Sequence, residues 1–193
     1  MSTTYPIKND QALENFKGYY ASTKINFRNY ALIIMGLNTA ARIGDLLQLQ
    51  WKDVYNKEEK KFQEHIFMRE QKTGKERAVA INTNVRKTLN ILRKNCLSSD
   101  DEDYLFPSKK NKEQPISRYQ AYRIIREAAE NTGLQEHISC HSLRKTFGYH
   151  AWKQGVSPAV LMDIYNHSSY KITRRYLCIE QDDRDKVYMN IKL

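Results

Sequence analysis

Apolar residues recur at helical spacing through most of the chain. The spacing predicts a helix capped by Asp10 and running to about Ala21, and a second from about Asn26 to Leu37. Phe27, Tyr30, Ala31, Ile34 and Leu37 give the second helix its apolar face. A short third helix follows Arg42, with Leu46, Leu47 and Leu49 turned inward. The period then changes. Trp51 to Tyr55 opens a small β region, and His65–Arg69 and Arg77–Ile81 are expected to be strands around a Lys72-Thr73-Gly74-Lys75 turn. Helical spacing returns over Val85–Lys94. Ser98–Asp103 is an acidic loop, and Pro107–Pro115 is a polar, lysine-rich loop expected to be a flexible surface segment. Ser117 caps a predicted helix from Arg118 to about Asn131, ended by Gly133. His141–Lys153 is closed by Gly155, and Ser157-Pro158 opens a helix to about Tyr165. A last helix is expected over Gln181–Ile191. The fold class is therefore mainly α with one small antiparallel β-sheet (α+β), in one domain across residues 1–193. Residues 1–25 form a lead-in helix and 177–193 a tail helix.

Composition narrows the class. The 193 residues are 40% hydrophobic, which suits one folded domain and excludes a disordered chain. No apolar run reaches membrane-spanning length, and Met1–Asp10 lacks a signal-peptide core, so a soluble cytoplasmic protein is expected. The net charge of +10, from 32 Lys+Arg against 22 Asp+Glu, favours a polyanionic partner. The basic residues are spread along the chain, which points to a folded basic surface rather than a tail. Plain solubility is the bland alternative. Cys96, Cys140 and Cys178 are odd in number and form no Cys-x-x-Cys pair, so reduced thiols are expected. Cys140, His141 and His137 lie close in sequence, but a fourth ligand and a zinc-type spacing are missing. No metal is expected.

Four segments carry candidate chemistry. His141 and Arg144 start a helix and share one face about a turn apart. With the positive end of the helix dipole they suit a phosphate. Alone, the pair is more readily a capping histidine and a solvated arginine. Arg42 sits between small residues and an apolar helix, where an arginine needs an anionic partner. Asp45 orients it in one reading and forms a merely structural pair with it in the other. Lys72 stands at a hairpin tip, from which a lysine can reach into a cleft and protonate a leaving oxygen. A solvated turn is the alternative, and the segment is not a P-loop. His167 falls at a helix end and Tyr176 nine residues later in a basic stretch. One tyrosine among thirteen is a weak signal by itself.

The ordered set is specific where its parts are not. Ala41-Arg42-Ile43-Gly44-Asp45-Leu46-Leu47, Gln71-Lys72-Thr73-Gly74-Lys75, His141-Ser142-Leu143-Arg144-Lys145-Thr146-Phe147, His167 and Thr173-Arg174-Arg175-Tyr176 occur in the order of the tyrosine recombinase (phage integrase) family. The chain resembles that family from about Asn26 to Tyr176. Asn166 stands where a glycine commonly precedes the late histidine, and Lys145 where a second histidine often follows the arginine. About twenty-five residues precede the resemblance, too few for the family's usual N-terminal clamp domain. The chain is thus expected to be an excised catalytic fragment or a minimal member, binding DNA weakly and in a salt-sensitive way when alone.

The resemblance implies a site-specific recombinase that cuts and rejoins double-stranded DNA. Tyr176 would be the nucleophile, forming a 3′-phosphotyrosine. Arg42, Arg144 and His167 would stabilise the phosphate. Lys72 would be the general acid, and His141 would move the tyrosine proton or hold the phosphate. No cofactor, ATP or metal is implied, since arginines supply positive charge and the covalent link conserves the bond. The expected assembly is a homotetramer on two duplexes and a monomer when free, of bacterial or phage origin and nucleoid-associated in the cytoplasm. The tail, with Leu177, Ile179, Val187, Tyr188 and Ile191, either docks on a neighbour or folds back on its own domain. Type IB topoisomerase-like relaxation and a non-catalytic DNA-binding relic are the competing functions.

Overall fold

Asn9, not Asp10, caps the first helix. In the computed structural model, which describes residues 4–69, 74–96 and 99–191, the Asn9 side chain accepts from the Ala12 N–H and leaves Asp10 as the first helical residue. Asp10 instead meets Lys153, whose Nζ lies 2.9 Å away. Helix α1 spans Asp10–Gly18 and continues as a π-type turn over Tyr19–Thr23. This turn aims both Tyr19 and Tyr20 inward, and the Tyr20 hydroxyl donates to the Ile124 carbonyl at 3.1 Å.

Helix α2 (Phe27–Thr39) is buried on nearly every side from Ala31 to Leu37. The one-sided face expected from the sequence is too narrow: Phe27 and Tyr30 lie at the margin, while Leu32, Ile33 and Met35 are fully enclosed. A short α3 (Ile43–Leu47) follows, with Leu46, Leu47 and Leu49 buried as expected. Trp51–Asp53 is a 3₁₀ turn. Among the described residues the β region is two separate antiparallel pairs rather than one sheet, with a bend at Gln63–Glu64 between them. β1 (Tyr55–Asn56) pairs with β2 (Lys61–Phe62), and β3 (His65–Arg69) with β4 (Glu76–Ala80), His65 opposite Ala80.

The remaining helices are α4 (Thr83–Asn95), α5 (Arg118–Asn131), α6 (Cys140–Lys153), α7 (Pro158–Tyr165), α8 (Tyr170–Leu177) and α9 (Glu180–Asn190). Ser117 and Gln120 close a reciprocal cap on α5. The Pro107–Pro115 loop is drawn together by a bridge between its ends and by the Ser108 N–H donating to the Gln114 carbonyl at 2.8 Å. The apolar interior has two parts. The larger holds most of α1–α5 and reaches Leu143 of α6. The smaller joins Ala40 to Leu161, Tyr165, Leu177 and Ile179.

Helix α6 joins the two parts, and two of its close approaches need small residues. On its α2 side, a Cβ at Gly36 would come within 2.5 Å of Leu143 Cδ1. On its other side, a Cβ at Gly148 would come within 2.5 Å of Leu177 Cδ2 and closer still to the Tyr165 hydroxyl. Gly148→Ala is therefore expected to destabilise the domain by about 1–3 kcal/mol through overpacking. A lower urea midpoint with an unchanged denaturant slope is the expected measurement.

Candidate active site

The site forms where three helix ends meet. Helix α2 stops at Ala40, which takes the left-handed conformation (φ 50°, ψ 20°), and Thr39 secures the break by donating its hydroxyl to the Met35 carbonyl at 2.8 Å. The chain then runs extended through Arg42, the residue that caps α3. Arg42 is half-buried, and Asp45 is buried in the first turn after it.

Helix α6 starts at Ser139, whose N–H donates to Ser142 Oγ at 3.1 Å. This places His141 and Arg144 in the opening turns. Arg144 is only 4% exposed. Its Nη1 donates to the Ala40 carbonyl and its Nη2 to the Tyr165 carbonyl at 3.5 Å. The Tyr165 hydroxyl returns a bond to the Arg144 carbonyl at 2.7 Å, and the guanidinium stands 4.6 Å from the Tyr165 ring centroid. These contacts fix the arginine before any ligand arrives.

Helix α7 ends at Asn166 in the left-handed conformation (φ 53°, ψ 48°). Glycine suits that geometry best, and asparagine is among the side chains that tolerate it. The departure at Asn166 is therefore compatible with the turn that presents His167. The His167 Nδ1 lies 3.0 Å from Thr173 Oγ1, which links it to α8. Ser169 caps α8 by accepting from the Ile172 N–H, and Tyr176 falls on the same face as Thr173.

Tyr176 is half-buried among three groups. Its ring centroid is 5.3 Å from His167 and 5.3 Å from Tyr165, and Lys145 Nζ stands 5.3 Å from it. Burial pushes the Tyr176 phenol above its ordinary pKa, while the charge and hydrogen bond of Arg144 and the charge of Arg42 oppose that rise. Desolvation lowers the pKa of His167, helped by Arg144 and Arg42. His141 meets solvent at its outer edge, yet desolvation lowers it too, followed by Arg144, Lys145 and Arg42. Both imidazoles are thus biased to the neutral form at neutral pH. Arg42 and Arg144 act on all three of these groups, so five of the six residues singled out in the sequence share one electrostatic site. The sixth, Lys72, lies outside the described residues.

Other candidates stand apart. Burial pushes the Cys140 thiol up to about 11, which disfavours the thiolate a metal would need. Among the described residues no His/Cys/Asp/Glu group is arranged to hold a metal ion. Three contributors were not singled out as site residues. Lys145 is 8% exposed, donates to the Thr4 carbonyl at 2.6 Å, and faces the Tyr176 ring. Tyr165 and Thr173 hold Arg144 and His167 in place. Their helical spacing from Tyr176 or Leu161 marks them as inward-facing, but nothing local marks them as neighbours of a phosphate.

Two arginines, two histidines and a tyrosine thus come together on a mainly helical scaffold, a set of side chains suited to a phosphate. Comparison with known proteins agrees. The model of the "Phage integrase family" matches residues 9–182. The chain is 40% identical over 188 residues to a probable integrase/recombinase, YoeC, of Bacillus subtilis, covering 97% of each chain. It is 26% identical over 170 residues to the tyrosine recombinase XerD of Corynebacterium glutamicum, covering 86% of this chain but 53% of that protein. In fold it matches the crystal structure of XerA recombinase with a TM-score of 0.75 at 23% identity, over 100% of this chain and 68% of that one. It also matches XerH bound to its palindromic difH substrate, with a TM-score of 0.73 at 20% identity, over 98% and 54%. The chain belongs to the phage integrase family, the tyrosine recombinases.

Proposed function

We propose that the chain is the catalytic domain of a site-specific DNA recombinase that works through Tyr176. The observation that carries this reading is the placement of Tyr176 against His167 and Tyr165, with the Arg144 guanidinium held over the same Tyr165 ring. Arg42 and Arg144 would bind the non-bridging oxygens of a scissile phosphate and stabilise the charge that builds up there, with His167 assisting. The Tyr176 oxygen would attack phosphorus as the bond to the 5′ oxygen breaks, giving a 3′-phosphotyrosine and a free 5′ hydroxyl. Because burial holds the phenol protonated, its proton must leave during attack, and neutral His141 is suited to accept it. Lys72 would protonate the departing 5′ oxygen. Rejoining reverses each transfer.

Helix α5 supports a DNA path to this site. Its solvent face shows Arg118, Tyr119, Tyr122 and Arg123 beyond a buried row of Ala121, Ile124 and Ile125. A Cβ at Gly44 would lie 2.9 Å from the Arg118 Cζ, so this basic face abuts the segment that carries Arg42. The tail supports assembly on DNA as a tetramer. Lys8 anchors its root by donating to the Cys178 carbonyl at 3.0 Å and to Asp182 at 2.7 Å, and Ile179 is buried. Further on, Val187, Tyr188, Met189 and Ile191 are exposed, Tyr188 by 78%. Such an apolar end suits docking on a neighbouring protomer. No helix among the described residues is long and apolar enough to cross a membrane, and the work proposed is at DNA in the cytoplasm.

The test is covalent capture across a random library of nicked duplexes, followed by mapping of the attached residue and joining of two copies of the recovered site. The expected result is adducts through Tyr176 at a defined sequence and exchange between two sites. Relaxation of supercoils without exchange would favour a topoisomerase. Folded protein giving no adduct would leave a binding relic.

A further inference from the structure

Arg144 is not the only arginine holding the helix ends that frame the site. Arg77 lies on β4, opposite Met68 and on the strand's half-buried face. Its Nη1 donates to the Ile164 carbonyl at 3.4 Å and its Nη2 to the Thr39 carbonyl at 3.3 Å. Arg144 takes the next carbonyl of each helix end, Ala40 and Tyr165. Two arginines from different elements thus grip the ends of α2 and α7 through successive carbonyls. Helix C-termini suit such a fork, because their last carbonyls lack intrahelical partners and carry partial negative charge. Arg144 reaches the ends over the Tyr165 ring, which itself packs against Tyr176. Arg77 reaches them from the wall of a cleft of about 670 Å³ that Thr39, Phe147 and Ile164 also line. Lys75, just before β4, adds a tie to α7 by donating to Asn166 Oδ1 at 2.9 Å.

Two residues past the gripped Ala40 and Tyr165 carbonyls stand Arg42 and His167. We infer that Arg77 is a positioning residue for phosphate recognition. It holds the ends of α2 and α7 at the separation that lets Arg42, Arg144 and His167 converge on one phosphate, without touching DNA itself. This rests on the reading that those three residues stabilise a scissile phosphate. A plain strut would stabilise the domain and leave the charge-stabilising step unaffected.

The test compares Arg77→Met and Arg77→Lys in single-turnover cleavage of a nicked duplex carrying a captured site. One form has the native phosphate at the scissile position and the other a methylphosphonate, which lacks the anionic oxygen and asks less of the arginines. Arg77→Met is expected to cleave the native phosphate on the order of 10²-fold more slowly, as a small misplacement of catalytic groups would cause. Its deficit on the methylphosphonate should be much smaller, with DNA affinity unchanged. Arg77→Lys should resemble Arg77→Met, because one ammonium cannot span two carbonyls as the planar fork does. An equal deficit on both substrates, no deficit, or full rescue by lysine would overturn the inference. Arg42→Ala, run alongside, must itself favour the methylphosphonate. If it does not, the reading of the phosphate site falls, and this inference with it.

Discussion

Tyr176→Phe is expected to abolish the covalent adduct, by about 10⁴-fold or more, as removal of a nucleophile does. The substitution removes one oxygen and keeps the ring. Phenylalanine retains the contacts with His167, Tyr165 and Lys145, and Leu177 beside it stays buried. The packing around the ring is unchanged, so the stability change should stay within about 1 kcal/mol. DNA binding should be nearly intact, because the phosphate contacts proposed for Arg42 and Arg144 remain. Denaturing gels read the adduct and band shifts read the binding. Covalent complex at the wild-type level in the variant would remove Tyr176 from the nucleophile's role.

Arg144→Ala is expected to cost both rate and stability, and the two can be separated. Cleavage should fall by about 10³-fold, the scale of losing a fixed donor to a developing anion. The fold should also weaken by about 3 kcal/mol, since a buried charged partner is lost and its acceptors remain. The Ala40 and Tyr165 carbonyls would lose their donor, and the Tyr165 ring its cation. Arg144→Lys keeps the charge but not the fork, so cleavage should recover only in part. Single-turnover rates taken well below the unfolding midpoint, beside urea unfolding, divide the effect. An Arg144→Ala enzyme that is stable and fast would contradict the phosphate role.

Helix boundaries were largely legible because local chemistry sets them. Ser117 with Gln120, Ser157-Pro158 and the glycines at 133 and 155 mark ends that depend only on their neighbours. Helix α8 was not legible as a helix. It is short, and Lys171, Arg174 and Arg175 dilute its apolar positions; Ser169 before Ile172 and Thr173 was the available signal. The first cap falls at Asn9, one residue before Asp10, since both are capable caps and Asp10 pairs with Lys153 instead. Helix α2 looked one-sided because its neighbours α4 and α6 lie far along the chain. The candidate site residues are marked by an ordered motif, whereas Tyr165, Thr173, Lys145 and Arg77 join them through contacts between distant elements. No local spacing announces those contacts.

The smaller apolar cluster has one member, Ala40, from the first quarter of the chain, and its other buried members come from residues 161–179. The N-terminal segment behaves alike: the Ile7 N–H donates to Thr146 Oγ1 at 2.9 Å, and Lys8 reaches Cys178 and Asp182. These closures span most of the sequence, so they form only after nearly all of it is available. On a ribosome, Arg42 would emerge early and wait for the segment that carries Tyr176. A nascent chain of this kind would hold its proposed phosphate-binding arginine long before its proposed nucleophile. Its order of synthesis leaves the candidate site incomplete until nearly the whole chain is available.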